Sequence, residues 1–216
     1  MSDTYRHKGM RRRLVAELKE KGIRDERVLE AFHQLPRHLF LDRAFEEWAY
    51  EDKPFPIGKD QTISQPYTVA FQTELLEVVP GDKILEIGTG SGFQAAILSL
   101  LGANVNTLER HYELYRKAEL LLKSIGISGV RCFFTDGNEG LEKYAPFDKI
   151  LFTCGAEKIP QELLIQLKVG GTLVIPVGIE EQRMLRIKKI SSTQFSREDF
   201  GLFRFVPFLK GKEKDL

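Results

Sequence analysis

Residues 84–93, ILEIGTGSGF, place Gly88, Gly90 and Gly92 directly after an apolar run that carries Glu86 and Ile87. A buried strand running into such a turn lets backbone approach a ligand closely, and the following helix offers unpaired N–H groups. The spacing is G-x-G-x-G, because Phe93 stands where the G-x-G-x-x-G dinucleotide fingerprint has its third glycine. That glycine permits the tight helix–strand contact around a pyrophosphate, so a nicotinamide or flavin cofactor is disfavoured. Glu109, 21 residues past Gly88, ends the next apolar run, NVNTLE, where a carboxylate can accept from both hydroxyls of a ribose. Asp136-Gly137 ends the third run, VRCFFT, and suits an adenine amino group. Three such features at the carboxyl ends of successive strands describe an adenosine site at the switch point of a parallel sheet.

A second stretch, GKDQTISQP at 58–66, carries no charge after Asp60. Two amides and two hydroxyls, Gln61, Thr62, Ser64 and Gln65, surround Ile63, and Pro66 restricts Gln65 to an extended conformation. Composition alone describes a surface loop. Its neighbours argue for more, since residues 37–67 hold Pro54, Pro56, Gly58 and Pro66 among aromatics, and long ordered loops in compact domains are usually functional.

The elements that must hold these residues follow from periodicity. Leu14, Val15 and Leu18 predict a helix over 10–21 with Gly22 as its stop, and Asp25 is the N-cap of a second helix whose stripe is Val28, Leu29, Phe32 and Leu35. From residue 68 helices and strands alternate: helix 68–78, strand KILEIG, helix 92–101, strand NVNTLE, helix 112–124, strand VRCFFT, strand KILFTC, helix 160–167, strand TLVIPV. That order predicts right-handed βαβ units. RMLRIKKI and LFRFVPF then follow with no helical pattern between them, which predicts an antiparallel edge. The expected fold is a Rossmann-like, doubly wound α/β sheet, mostly parallel, with an antiparallel C-terminal edge and N-terminal helices. Residues 1–67 form the helices and loop packed on a core of 68–216, as one structural domain.

At 216 residues the chain can bury one sizeable core, and 32 Lys and Arg against 31 Asp and Glu leave no global field for nucleic acid or an acidic membrane. The basic groups Arg11–Arg13 and Lys210, Lys212 and Lys214 read as solvated faces near the termini. No signal h-region or membrane-length apolar run occurs, so a cytoplasmic location is expected. Cys132 and Cys154 sit in apolar runs without metal-ligand spacing and read as buried reduced thiols. His7, His33, His38 and His111 show no metal spacing and no accompanying carboxylate pair, so no metal site is expected.

DQTISQP, ILEIGTGSGFQAAIL, TLER, the DG at 136–137, APFDKILFTCGAEKIPQELLIQL, GGTLVIPVG and FVPF occur in an order and spacing that resembles the protein-L-isoaspartate O-methyltransferases, from about Gly22 to Phe208 and including LPRHLF. The glycine turn alone implies only a class I methyltransferase, with a small molecule or RNA as the alternative acceptor. The resemblance implies methyl transfer from S-adenosyl-L-methionine to the α-carboxylate of an L-isoaspartyl residue, leaving S-adenosyl-L-homocysteine, with damaged peptides and proteins as partners and a monomeric enzyme. Its active-site serine falls on Ser64; its cofactor positions on Gln61, Thr62, Ile63, Glu86, Gly88, Gly90, Ser91, Gly92, Glu109, Asp136 and Gly137; its peptide wall on Ile57, Ser64, Val206 and Pro207. Asp60 and Phe93 depart from the usual glycine and tyrosine, and the tail after FVPF shows no match. On this reading a carboxylate acceptor is already ionised at neutral pH, and positioning by neutral donors is what the 61–65 stretch supplies, with Gly58 as a hinge.

Overall fold

The computed structural model describes residues 3–209 and 211–213, so Lys210 and Lys214 of the basic tail lie outside the described residues. The first helix, α1 (Tyr5–Glu20), begins five residues before the expected position 10 because Thr4 builds a capping box. Its side chain accepts from the His7 N–H at 3.3 Å, and His7 Nδ1 accepts from the Thr4 N–H at 3.3 Å. Asp25 caps α2 (Glu26–Gln34) as expected, accepting from the Arg27 N–H at 2.9 Å. Leu14 and Leu18 of α1 and Val28, Leu29 and Phe32 of α2 enter the same apolar core as Ile84 of the main sheet and Phe93 and Ile97 of the helix that follows the glycine turn.

Residues 37–67 are more ordered than a Pro- and Gly-rich composition suggests. Two short 3-10 turns, Arg37–Phe40 and Arg43–Trp48, lead into an antiparallel hairpin of β1 (Phe55–Gly58) and β2 (Gln61–Ile63). The expectation of irregular structure is corrected here, and the reason is local. Lys59 and Asp60 both take φ of 54°, the sign that a two-residue primed hairpin turn requires at both central positions. Neither residue is the glycine or asparagine that signals such a turn, so the hairpin is not visible in the sequence. Asp60, standing where the resemblance expects glycine, holds a left-handed conformation that a Cβ makes costly.

The regular part runs α3 (Pro66–Leu76), β3 (Lys83–Ile87), α4 (Phe93–Leu100), β4 (Asn104–Glu109), α5 (Tyr112–Ser124), β5 (Val130–Phe134), β6 (Phe147–Phe152), α6 (Gln161–Gln166), β7 (Leu167–Val177), β8 (Gln182–Lys189) and β9 (Phe195–Phe203). One seven-stranded sheet has the order β5-β4-β3-β6-β7-β8-β9, parallel from β5 to β7 and antiparallel at β8 and β9. The central strands are buried on both faces, so Ile84, Leu85, Ile150, Leu151, Leu173 and Val174 are fully enclosed. The last strand lies at 195–203, not 202–208. FVPF leaves the sheet instead: the Gly155 N–H donates to the Val206 carbonyl at 2.9 Å and the Phe208 N–H to the Gly155 carbonyl at 2.8 Å. This crossing carries residues 206–209 over the carboxyl ends of the strands. Among the described residues no helix is long and apolar enough to cross a membrane.

Candidate active site

Strand order reverses between β3 and β6, and a crevice opens at such a reversal because the connections leave in opposite directions. The cavity there is about 790 Å³, including its open mouth. Gly88, Gly90 and Ser91 floor it, Glu109 and Gly137 wall one side, and Gln61, Thr62, Ile63 and Ser64 cover it from the hairpin. Val206 and Pro207 close the far side. Gly88 has a φ of 100°, and a Cβ built there would lie 2.5 Å from Thr153 Oγ1. Backbone therefore meets the cavity directly at a place no side chain could occupy.

Glu109 is 5 % exposed, and both its oxygens accept backbone N–H bonds, Oε2 from Gly90 at 2.8 Å and Oε1 from His111 at 2.9 Å. Those two bonds fix the carboxylate against the glycine turn, and each oxygen keeps lone pairs for a diol. Four of the residues named from sequence stand elsewhere. Asp136 is not on the cavity wall: Oδ1 accepts from the Asn138 N–H at 2.9 Å and Oδ2 from the Gly211 N–H at 2.8 Å, so its oxygens hold the tail. Gly92 is the N-cap of α4 and packs against Leu122. Ile57 sits behind Gly90 rather than on the wall.

Glu86 is the fourth. It is fully buried beside Thr107, whose hydroxyl is turned to Thr89 at 2.7 Å, and neither carboxyl oxygen has a hydrogen-bond partner among the described residues. Burial pushes its pKa from 4.5 to about 8, with a small further rise from Glu109, and the nearby Thr107 hydroxyl offsets part of this.

Polar ties on both flanks of the hairpin fix the segments that carry it over the cavity. The Asp52 carboxylate accepts from the Tyr67 N–H at 2.7 Å and from Gln65 Nε2 at 2.9 Å, and it pairs with Lys21 at 2.5 Å. It thus caps α3 from 15 residues away and fixes Gln65, which is extended as Pro66 requires (φ −52°, ψ 134°). Arg37, from LPRHLF, is fully buried and donates to the carbonyls of Ala49 at 2.9 Å and Lys53 at 3.3 Å. The Ser64 hydroxyl, between these anchors, makes no hydrogen bond within the described chain.

Beyond the hairpin lies a second, wider cleft walled by Pro54, Tyr67, Phe203 and Phe205, with Arg204 and Glu181 as its charged members, 3.4 Å apart. Thr62, Ser64, Thr153 and Val206 line both this cleft and the cavity. The passage joining them thus contains three hydroxyls and no titratable side chain.

Thiols and imidazoles occupy other roles. Cys132 and Cys154 are free; Cys132 is half-buried rather than buried, and burial pushes its thiol up to about 12 and the Cys154 thiol higher still. Neither is a thiolate nucleophile at neutral pH. The expectation that no carboxylates accompany the histidines is corrected, because Glu46 lies 3.1 Å from His7 Nε2 and Asp3 completes a group with His7 and His38. That group is built as a polar network: Asp3 takes Arg11 through both oxygens at 3.1 and 2.9 Å, and the two imidazoles stack at 3.9 Å, so their in-plane lone pairs do not converge on one ion. His111 is 5 % exposed, lines the cavity, and bridges to Glu213 at 3.1 Å. The tail is strapped beside it, with Arg110 donating to the Gly211 carbonyl at 3.0 Å.

With this geometry in view, the family model described as Protein-L-isoaspartate(D-aspartate) O-methyltransferase (PCMT) matches residues 9–213. The chain belongs to the protein-L-isoaspartate O-methyltransferase family. The match takes in the tail to 213, where the sequence showed no correspondence after Phe208. A protein-L-isoaspartate O-methyltransferase from Christiangramia forsetii is 55 % identical over 212 residues, 98 % of this chain and 100 % of the relative. One from Flavobacterium psychrophilum is likewise 55 % identical over the same shares. A solved protein-L-isoaspartate O-methyltransferase aligns with a TM-score of 0.84 at 28 % identity, covering 91 % of this chain and 65 % of that one. A Plasmodium falciparum structure described as a protein-L-isoaspartate O-methyltransferase in complex with S-adenosyl-L-homocysteine shares the fold, with a TM-score of 0.82 at 24 % identity over 95 % of this chain and 99 % of that one.

Sequence reasoning missed Asp52, Thr153, His111 and the strap of residues 206–213 as parts of the site. Asp52 and the strap carry no local signal, since their partners are remote in sequence. Thr153 did carry one, a hydroxyl at the carboxyl end of a strand beside the switch point.

Proposed function

We propose that this member of the family transfers the methyl of S-adenosyl-L-methionine to the α-carboxylate of L-isoaspartyl residues in damaged proteins, which initiates their repair. The single observation that carries the reading is the uncharged hydroxyl passage of Thr62, Ser64 and Thr153 between the cavity floored by the glycine turn and the wider cleft beyond the hairpin. When bound, the cofactor supplies an electrophilic methyl on a sulfonium.

The cavity residues suit that cofactor. Glu109 offers fixed acceptors to ribose hydroxyls, the Gly88–Gly90 turn brings bare backbone to the cavity floor, and Gln61, Thr62, Ile63, Ser91 and Gly137 complete the wall. Glu86, Gly92 and Asp136 support it from behind, through strand, helix cap and strap. On the acceptor side, Ser64 has an uncommitted proton and donates to the carboxylate, while Val206 and Pro207 form the apolar wall and Ile57 backs the glycine turn. A lysine in place of these donors would stabilise the ground-state carboxylate as much as the transition state, which does not accelerate the chemical step. No general base is needed, because a carboxylate with an ordinary pKa near ~4 is already the nucleophile at neutral pH.

On this reading the enzyme acts as a monomer, with proteins and peptides rather than nucleic acid or membrane as partners. Two free cysteines suit a reducing cytoplasm. The test is incubation with methyl-labelled S-adenosyl-L-methionine and paired peptides differing only in Asp or isoaspartate. Label in the isoaspartyl peptide alone is expected; equal labelling of both, or of neither, overturns the reading.

A further inference from the structure

The passage between cavity and cleft holds two hydroxyls whose hydrogen bonding makes them chemical opposites. Ser64 keeps its proton free. Thr153 does not: its Oγ1 lies 2.6 Å from the Gly88 carbonyl and 2.9 Å from the Ile87 carbonyl, both acceptors, so its one proton is committed to the end of β3. The Thr153 N–H also donates to Ile87, at 3.1 Å, which fixes the backbone from which the side chain projects. A threonine so held, itself a residue that lines the passage, keeps only lone pairs on its oxygen. Its oxygen also occupies the place a Gly88 Cβ would need, 2.5 Å away, so turn and hydroxyl are fitted to each other.

The methyl of a sulfonium is electron-poor, and its C–H groups donate weak hydrogen bonds to lone pairs. A fixed acceptor at the passage therefore orients the group to be transferred, while the free Ser64 proton orients the attacking oxygen. We propose that Thr153 is a catalytic residue of this enzyme, whose Oγ1 accepts C–H contacts from the sulfonium methyl and holds it in line with the carboxylate placed by Ser64. The inference rests on the cofactor assignment above. It predicts discrimination between two cofactor forms: S-adenosyl-L-methionine carries the methyl, whereas S-adenosyl-L-homocysteine lacks it and gains nothing from Thr153 Oγ1.

The experiment is titration calorimetry of both cofactor forms against the full chain and its Thr153→Val, Thr153→Ala and Thr153→Ser variants, with kinetics on isoaspartyl peptide. Wild-type binding of both forms secures the cofactor assignment; failure to bind either removes that assignment and this inference with it. Given wild-type binding, Thr153→Val should weaken S-adenosyl-L-methionine about two- to fivefold more than S-adenosyl-L-homocysteine. kcat should fall by at least that factor with peptide KM unchanged, and Thr153→Ser should restore both. Thr153→Ala reports the same ratio should the valine variant fail to fold. Equal weakening of the two forms in either oxygen-deleting variant, with Ser restoring both alike, means that Thr153 only braces the glycine turn, and overturns the inference while leaving the assigned activity standing.

Discussion

Glu86→Gln changes one atom in the middle of the core, and its effect on stability should reverse sign with pH. Glu86 is fully buried with both oxygens unpartnered, and burial raises its pKa from 4.5 to about 8. Between pH 4.5 and 8 the folded chain holds a proton that the unfolded chain has released, so stability falls as pH rises through that window. The stabilising contribution is complete below the unfolded pKa and gone above the folded one. At ~1.36 kcal/mol per pH unit the loss is ~3 kcal/mol at pH 7 and approaches ~5 kcal/mol above pH 8. Glutamine removes this titration but brings a second amide donor into an enclosure where neither Glu86 oxygen has a partner, at a pH-independent cost of ~1–3 kcal/mol.

The variant should therefore be less stable than the parent near pH 5 and more stable near pH 8.5, where a net ~2–4 kcal/mol corresponds to a melting temperature higher by roughly 5–12 °C. Urea denaturation and thermal melts from pH 5 to 9 measure the difference. His38, lowered from 6.5 to about 4 by burial and the adjacent His7, makes both proteins lose stability as pH falls from 6.5 towards 4. That contribution cancels in the comparison. A difference between parent and variant that stays constant across pH would falsify the neutral, buried state of Glu86.

Glu109→Ala should weaken S-adenosyl-L-homocysteine by ~1–3 kcal/mol, the range for hydrogen bonds to a charged group, and unchanged affinity by calorimetry in a folded variant removes its ribose role. Ser64→Ala should lower kcat on isoaspartyl peptide with cofactor affinity intact; a loss confined to cofactor binding would move Ser64 out of the acceptor site. Asp52→Asn leaves one oxygen to serve Tyr67, Gln65 and Lys21, so stability should drop by ~1.5–3 kcal/mol and peptide KM should rise. An unaltered urea midpoint and KM would show that the clamp contributes nothing. Asp60→Gly relieves the left-handed Cβ but frees the unfolded backbone, giving a net gain of ~0.5 kcal/mol. A drop in melting temperature would mean the Asp60 side chain makes a contact of its own.

What the sequence determined by itself was whatever depends on neighbours a few positions apart. Alternating helical and strand patterns placed α5 at its observed bounds, and the G-x-G-x-G turn with Glu109 located the cavity, because strand ends and turn chemistry are written in consecutive residues. The uncharged QTIS stretch pointed to the cover of that cavity for the same reason. Tertiary structure decided the rest. The hairpin over the cavity depends on positive φ at Lys59 and Asp60, which the surrounding packing imposes against their preference. The Asp52 clamp reaches 15 residues to Tyr67, and the bond from Gly211 to Asp136 spans 75, so neither leaves a periodic trace. That same long-range bond explains why a carboxylate expected to face adenine faces the tail instead. Glu86 reads like any acidic residue before a glycine turn, yet its charge state is set by the helices and strands that close over it, since desolvation is a property of the whole enclosure. Thr153 acquires its lone-pair character in the same way, from two carbonyls of a strand 66 and 65 positions earlier.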